Sequence, residues 1–187
     1  METTAVAAPR NRIQLAYDSL ATPVGDVLIV CSETALCSVD FHGYDDRMHL
    51  LLRKRFGEYE LVEANDPLGM TSMLRAYFNG DMHAIDDVVV DTGGTPYQER
   101  VWAALRDIPH GQTWSYGQLA THVGGGTIAR AVGHANSLNP VAIVVPCHRV
   151  IGANTSLTGY GGGLERKQWL LEHERTYAGP PSLFTTR

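Results

Sequence analysis

Cys147, His148 and Arg149 are consecutive, and they follow the short apolar run 141–145 and Pro146. The thiolate is the nucleophilic form of cysteine, and a neighbouring His or Arg can lower a thiol's pKa. Such a nucleophile also needs a base, and the base needs an orienting group, as in a Cys–His–carboxylate set. Glu172 and Glu174 lie on a helix predicted over 164–174, introduced by Thr158-Gly159-Tyr160-Gly161-Gly162-Gly163. Trp169, Leu170 and His173 have core-like spacing on that helix, which leaves at least one glutamate free to face a site. A cysteine behind an aliphatic run also suits a small core residue, and the tripeptide alone does not separate the two readings.

A second constellation lies upstream. Ser115, with Gln118 three residues on, gives a capping-box pattern for a helix running to about Val123. Gly124-Gly125-Gly126 makes a tight turn, and Thr127 is placed to cap a further helix reaching about Leu138, before Asn139-Pro140. Two short helices joined by a glycine turn describe a helix-turn-helix. Major-groove reading wants long hydrogen-bonding side chains near the start of the second helix. This helix offers Ala129, Ala131, Gly133 and Ala135 instead, with Arg130 its sole long cation. Small residues permit close approach to the narrower minor groove, and a lone Arg can enter the stack where a base has been pulled out. The plainer alternative is that the small residues pack against neighbours and Arg130 is a surface charge.

The remaining chain must carry these two segments. Its 187 residues and 44% apolar content suit one substantial domain or two small ones, and 19% charged residues are too few for a disordered chain. No apolar stretch reaches membrane-span length, the first nine residues lack a secretory pattern, and Cys31, Cys37 and Cys147 are too few for a disulfide scaffold. A cytoplasmic protein with reduced thiols is expected. Residues 1–91 carry seven Lys/Arg against fifteen Asp/Glu, a net −8, whereas residues 92–175 carry seven against five, a net +2. That asymmetry suggests two domains, with any polyanion meeting the second.

An α+β fold is predicted: a tail over 1–12, an amino-terminal α/β domain over 13–91, a mostly helical domain over 95–175 and a tail over 176–187. In the first domain, Ile13–Leu20 and 24–30 read as a hairpin around Ala21-Thr22-Pro23. A third strand is predicted over 35–41, and helices over 45–55 and 67–79, with Pro67 in the first turn of the latter. Asp91-Thr92-Gly93-Gly94-Thr95-Pro96 is the linker. Tyr97, Val101, Leu105 and Ile108 then recur at helical spacing, ended by Pro109 and Gly111.

Val145-Pro146-Cys147-His148-Arg149-Val150, preceded by Ala129-Arg130-Ala131-Val132-Gly133 and Asn139-Pro140, resembles the O6-alkylguanine-DNA alkyltransferase family. Gly159-Tyr160-Gly161-Gly162-Gly163 and Trp169-Leu170-Leu171-Glu172-His173-Glu174 match it too, in the expected order. The likeness is dense from about Tyr97 to Glu174 and thinner before it, where residues 19–25 resemble the family's first hairpin.

The resemblance implies that Cys147 accepts the alkyl group from guanine O6 and ends as a thioether, once per molecule, in double-stranded DNA. It implies a Cys–water–His–Glu relay, with His148 reaching Glu174 through water, Asn139 bracing the turn before the cysteine strand, and Tyr116 hydrogen-bonding the departing guanine. Arg130 resembles the finger that fills the vacated stack. Tyr160 and Gly161 would wall the pocket, the carbonyls of Cys147 and Val150 would meet the guanine amino group, and Gly117, Gly125, Ala129 and Ala153 would join the substrate and DNA contacts. No cofactor, metal or membrane is implied, and the protein would act as a monomer, with cooperativity along DNA and O4-alkylthymine repair left open.

The sequence departs from the pattern at Thr127-Ile128, where relatives often carry smaller residues, and at Gly161, a serine in some relatives. Cys31, Cys37, His42 and His83 do not reproduce the four-ligand zinc set of some members. Three rival functions are weaker. A damage sensor of the same fold typically lacks the cysteine, and an adaptive-response regulator needs a further metal–cysteine domain. In a cysteine hydrolase, proton exchange between adjacent Cys and His would be awkward on an extended segment.

Overall fold

The computed structural model describes residues 12–179. β1 (Ile13–Leu20), β2 (Val27–Cys31) and β3 (Leu36–Phe41) form an antiparallel meander. Gly25 N–H donates to Thr22 O in the first turn. α1 (Asp45–Phe56) follows, and β4 (Tyr59–Glu63) pairs parallel to β1, giving the order β3-β2-β1-β4. This edge strand was not anticipated: its short, charge-rich run Tyr-Glu-Leu-Val-Glu carries little apolar signal.

The sheet is covered on both faces. Leu15, Val30 and Cys37 meet Met48 and Leu52 of α1 in a small cluster. Val27, Ile29, Val39 and Phe41 face the main core, which continues into the carboxy-terminal half. The predicted helix over 67–79 is shorter than expected. Pro67–Gly69 is a single 3-10 turn in which Leu68 takes φ +54°, and α2 (Met70–Phe78) begins after it. Asp66 sets that start by accepting the N–H and hydroxyl of Ser72, while Asp18 accepts the Thr71 hydroxyl.

α3 (Pro96–Arg106) opens on a capping box, with Thr95 accepting from Gln98 N–H and Gln98 returning to Thr95. Its buried Val101, Trp102 and Leu105 join the main core. A loop then leads to β5 (Trp114–Ser115), α4 (Tyr116–Val123) and α5 (Ala129–Ser137). The Ser115–Gln118 capping box is present. Gly124, Gly125 and Gly126 all take positive φ, +71°, +65° and +73°, so this turn needs three residues without a Cβ. Thr127 does not cap α5. Its hydroxyl donates to Gly124 O, and Ile128 occupies the cap position with no side-chain bond.

Residues 141–145 were expected to deliver the cysteine on a strand; they form a tight turn instead. Only Val141 bridges to the sheet, at Val39, and Ile143 takes φ +73°. Cys147–Arg149 is a 3-10 turn, followed by the two-residue β6 (Val150–Ile151), parallel to β5. α6 (Leu164–Tyr177) runs three residues beyond the predicted end and into the segment taken as tail. Of the predicted tails at 1–12 and 176–187, residues 1–11 and 180–187 lie outside the described residues.

Candidate active site

Five buried aliphatic residues cannot follow one sheet register and also turn the chain, so the backbone at 141–145 needs support. Asn139 supplies it from inside. Its Oδ1 accepts from Val141 N–H at 3.0 Å and its Nδ2 donates to Val145 O at 2.8 Å. The same Nδ2 lies 3.2 Å from Cys147 Sγ and donates to it. Positive φ at β-branched Ile143 costs on the order of 1–3 kcal/mol, and the bonds of Asn139 across the turn hold it there. From outside, Arg47 of α1 donates to Asn139 O at 2.7 Å and to Ser137 O at 3.0 Å while paired with Asp40. The amino-terminal half thus clamps the turn that carries the cysteine.

Of the two candidate carboxylates, Glu172 is exposed and Glu174 is fully buried. Glu174 Oε1 accepts from His148 Nε2 at 2.8 Å, from Tyr77 OH at 3.0 Å and from Arg149 NH2 at 2.8 Å. Oε2 accepts from Arg149 Nε at 2.9 Å and from Gly111 N–H at 3.1 Å. The expected water between His148 and Glu174 is thus corrected: the two are in direct contact, with no room between them. Because a carboxylate only accepts, His148 Nε2 carries the proton and Nδ1 is left as the basic nitrogen. That Nδ1 is buried and has no protein partner.

Burial raises Glu174, but His148, His110 and Arg149 outweigh it and hold the carboxyl well below the usual range. Burial lowers His148, and Glu174 only partly opposes this. Burial likewise pushes the Cys147 thiol up, against the Asn139 bond and the charges of Lys167 and Arg47. Both shifts favour the neutral pair over a thiolate–imidazolium pair, so the sequence neighbours of the sulfur do not by themselves favour its ionisation. The extended-segment argument against a hydrolase also fails, since 147–149 is a helical turn. Asn139 is the group hydrogen-bonded to the sulfur.

Cys147 is 9% exposed, and that exposure opens into a cavity of about 670 Å³. Tyr116, Ala129, Arg130, Gly133, Tyr160 and Gly161 line it. The small-residue face of α5 therefore forms one wall, and the sulfur is not sealed among aliphatic side chains. Tyr116 OH stands at the opposite lip, 3.3 Å from Gly159 O. Arg130 is exposed and has no ion-pair partner among the described residues. Gly117, Gly125, Val150 and Ala153 do not line the cavity. Gly125 sits in the exposed turn before α5 and Ala153 in an exposed loop. Val150 O already accepts from Lys167 Nζ at 2.6 Å.

Lys167 was missed by sequence reasoning. It is fully buried, ties Val150 O to Thr158 O, and is pushed down to about 8 by burial while the Cys147 sulfur pulls the other way. Glu165, Arg166 and Gln168 around it are polar, so the sequence hides a buried lysine among side chains of an outward-facing kind. Cys31, Cys37, His42 and His83 are not gathered together. Cys31 and Cys37 are buried in the sheet, whereas His42 and His83 are exposed beside Asp45 and Asp86.

Two family models match the chain. Residues 15–92 match the 6-O-methylguanine DNA methyltransferase ribonuclease-like domain, and residues 96–176 match the DNA binding domain of the same enzyme. A methylated-DNA–protein-cysteine methyltransferase of Salmonella typhimurium is 49% identical over 165 residues, covering 87% of this chain and 96% of the relative. One from Mycobacterium leprae is 57% identical over 104 residues, 56% of this chain and 62% of the relative. Among solved structures, Mycobacterium tuberculosis OGT in complex with DNA matches with a TM-score of 0.72 at 38% identity, covering 87% of this chain and 94% of that one. An O6-methylguanine-DNA methyltransferase from Pyrococcus kodakaraensis matches at 0.66 and 26% identity, covering 86% and 98%.

Proposed function

The chain belongs to the 6-O-methylguanine DNA methyltransferase family, and on that premise we propose that it repairs duplex DNA by taking the alkyl group of a flipped-out O6-alkylguanine onto Cys147, irreversibly and once per molecule. DNA repair by methyl transfer is the family's activity, and DNA is its partner. No helix among the described residues is long and apolar enough to cross a membrane.

One observation carries the residue assignment: the Cys147 sulfur is at the floor of a cavity walled by the small-residue face of α5 and edged by Arg130. An O6-alkyl group lies inside the duplex, so it reaches that sulfur only if the nucleotide swings out, at a cost of a few kcal/mol. Ala129 and Gly133 permit close groove contact, and Arg130 is free to occupy the vacated stack. Binding at the minor groove rests on that small-residue face and on the uncapped start of α5, where free N–H groups suit a phosphate.

The thiol proton passes to His148 Nδ1 through one water, and Glu174 balances the resulting imidazolium. Lys167 and the Asn139 amide stabilise the thiolate as it forms. Sγ then attacks the alkyl carbon in line, the S–C bond forms as the C–O6 bond breaks, and the departing guanine takes a proton from the Tyr116 hydroxyl, which is restored through solvent by the proton that His148 gives up. A thioether has no leaving group that water displaces at neutral pH, so the reaction stops. Action as a monomer is part of the same proposal. The domain division at 13–91 and 95–175 is proposed as scaffold and chemical half, with Arg47 and Asp40 linking them.

Titration of the protein with excess O6-methylguanine duplex tests this reading. Repaired strand should plateau at one equivalent per chain. Continued repair past one equivalent would replace it with a hydrolytic mechanism.

A further inference from the structure

The loop between α3 and β5 does more than join them. Ile108 O accepts from Arg149 NH1 at 2.6 Å, and Gly111 N–H donates to Glu174. Between these, His110 Nδ1 lies 2.7 Å from Arg149 NH2, and its Nε2 lies 2.8 Å from Asp86 Oδ1. Asp86 Oδ2 in turn lies 2.7 Å from His83 Nδ1. The guanidinium only donates, so His110 Nδ1 accepts and Nε2 carries the ring proton toward Asp86. That tautomer has a consequence for the grouping His83, Asp86 and His110, whose ligand atoms lie within 4.8 Å of one another. With the proton on Nε2, the three side chains are linked as a hydrogen-bond relay.

We propose that His110 is a positioning residue for alkyl transfer: anchored on Asp86, it receives Arg149 on Nδ1 and fixes the guanidinium so that Glu174 Oε1 stays available to His148. The proposal rests on the relay reading of His148 and Glu174 above. Arg149 is 4% exposed and donates to Glu174 through Nε and NH2. Rotating its plane would move both contacts together and disturb the carboxylate oxygen that orients His148. With the second NH2 hydrogen held by His110 and NH1 held by Ile108 O, that rotation is blocked.

Protonation of His110 would undo the arrangement, because Nδ1–H and Arg149 NH2 would then be two donors face to face. The groups facing His110 are Asp86 and His83 from the turn after α2, Arg106 of α3, Arg149 of the cysteine turn, and Glu174 and Arg175 of α6. Burial lowers His110, but the Glu174 carboxylate 3.9 Å away and the bond to Asp86 raise it overall above its ordinary value. The rate should therefore fall as pH drops through that raised value, in addition to any effect on His148.

The test is the single-turnover rate on saturating O6-methylguanine duplex, measured from pH 5.5 to 8.5, for wild type, His110→Phe, His110→Asn, Asp86→Asn and His148→Gln. His110→Phe keeps the volume but loses the acceptor, and should lower the rate at pH 8 by about tenfold, the order of one lost charge-assisted hydrogen bond. His110→Asn places an amide oxygen where Nδ1 was, cannot be protonated near neutrality, and should restore most of that rate while losing the acid inflection. Asp86→Asn keeps an amide oxygen for His110 Nε2 but removes the charge that favours protonation of the ring, and should move the inflection to lower pH. Unchanged rate and profile in His110→Phe, or equal loss in Phe and Asn variants, would overturn the proposal. Should His110→Phe not fold, an unmoved inflection in Asp86→Asn overturns it. If His148→Gln leaves the rate intact, the underlying relay reading fails instead.

Discussion

Replacing Glu174 by Gln removes the charge at the centre of the buried network while nearly keeping its volume. Five side-chain or backbone donors converge on its two oxygens: Tyr77 OH, His148 Nε2, Arg149 Nε and NH2, and Gly111 N–H. Gln offers one oxygen and an NH2 group, so one end of the network meets donor against donor. Arg149, nearly fully buried, is also left without its counter-ion. Breaking a buried pair from one side costs about 3–5 kcal/mol, and at ~2–4 °C per kcal/mol for a chain of this size the melting temperature should fall by roughly 6–20 °C. Alkyl transfer should fall as well, since His148 loses the group that holds its tautomer. A second change separates the two effects: adding Arg149→Met removes the orphaned charge and should recover part of the stability but none of the transfer. The assays are thermal or urea unfolding and single-turnover repair. A Glu174→Gln protein within about 1 kcal/mol of wild type, or a double variant that regains transfer, would refute the reasoning.

Three further outcomes follow from the same geometry. Glu174 has a depressed carboxyl pKa, so its stabilisation is complete above the unfolded value near ~4.3 and is lost as pH falls toward the folded value. Acid unfolding of wild type should therefore steepen below about pH 4, and that component should be absent in Glu174→Gln. Asn139→Ala removes the brace of the turn and the donor to the sulfur; transfer should drop by about tenfold or more and stability by about 1–3 kcal/mol, read by repair rate and unfolding. Arg130→Ala should weaken repair of duplex substrate while largely preserving reaction with free O6-benzylguanine, because Arg130 lies at the cavity edge; equal loss on both substrates would place it in the chemistry or the fold.

The sequence was most legible where one residue type has one use. The Ser115–Gln118 capping box, the three positive-φ glycines and the boundaries of β1 all came from local rules and stand in the structure. Residues 141–145 misled because buried strands and buried turns share an aliphatic composition; the turn is set by Asn139 and Arg47, and Arg47 lies almost a hundred residues away. The pairing of Cys147 with its surroundings was legible in residue identity but not in electrostatics. Adjacent His and Arg suggested a lowered thiol, yet both side chains turn toward Glu174 and burial raises the sulfur. His110 and Lys167 were invisible for a related reason: each is a polar residue in a polar stretch, and only the packing of α6 and the cysteine turn around them buries Lys167 and partly covers His110.

The central claim is that the alkyl group ends on the sulfur of Cys147. Peptide mass spectrometry after incubation with an O6-methylguanine duplex tests it most directly. The peptide containing Cys147 should gain one methyl, one per chain, and the Cys147→Ser protein should gain none. Repaired DNA with an unmodified Cys147 peptide would contradict it.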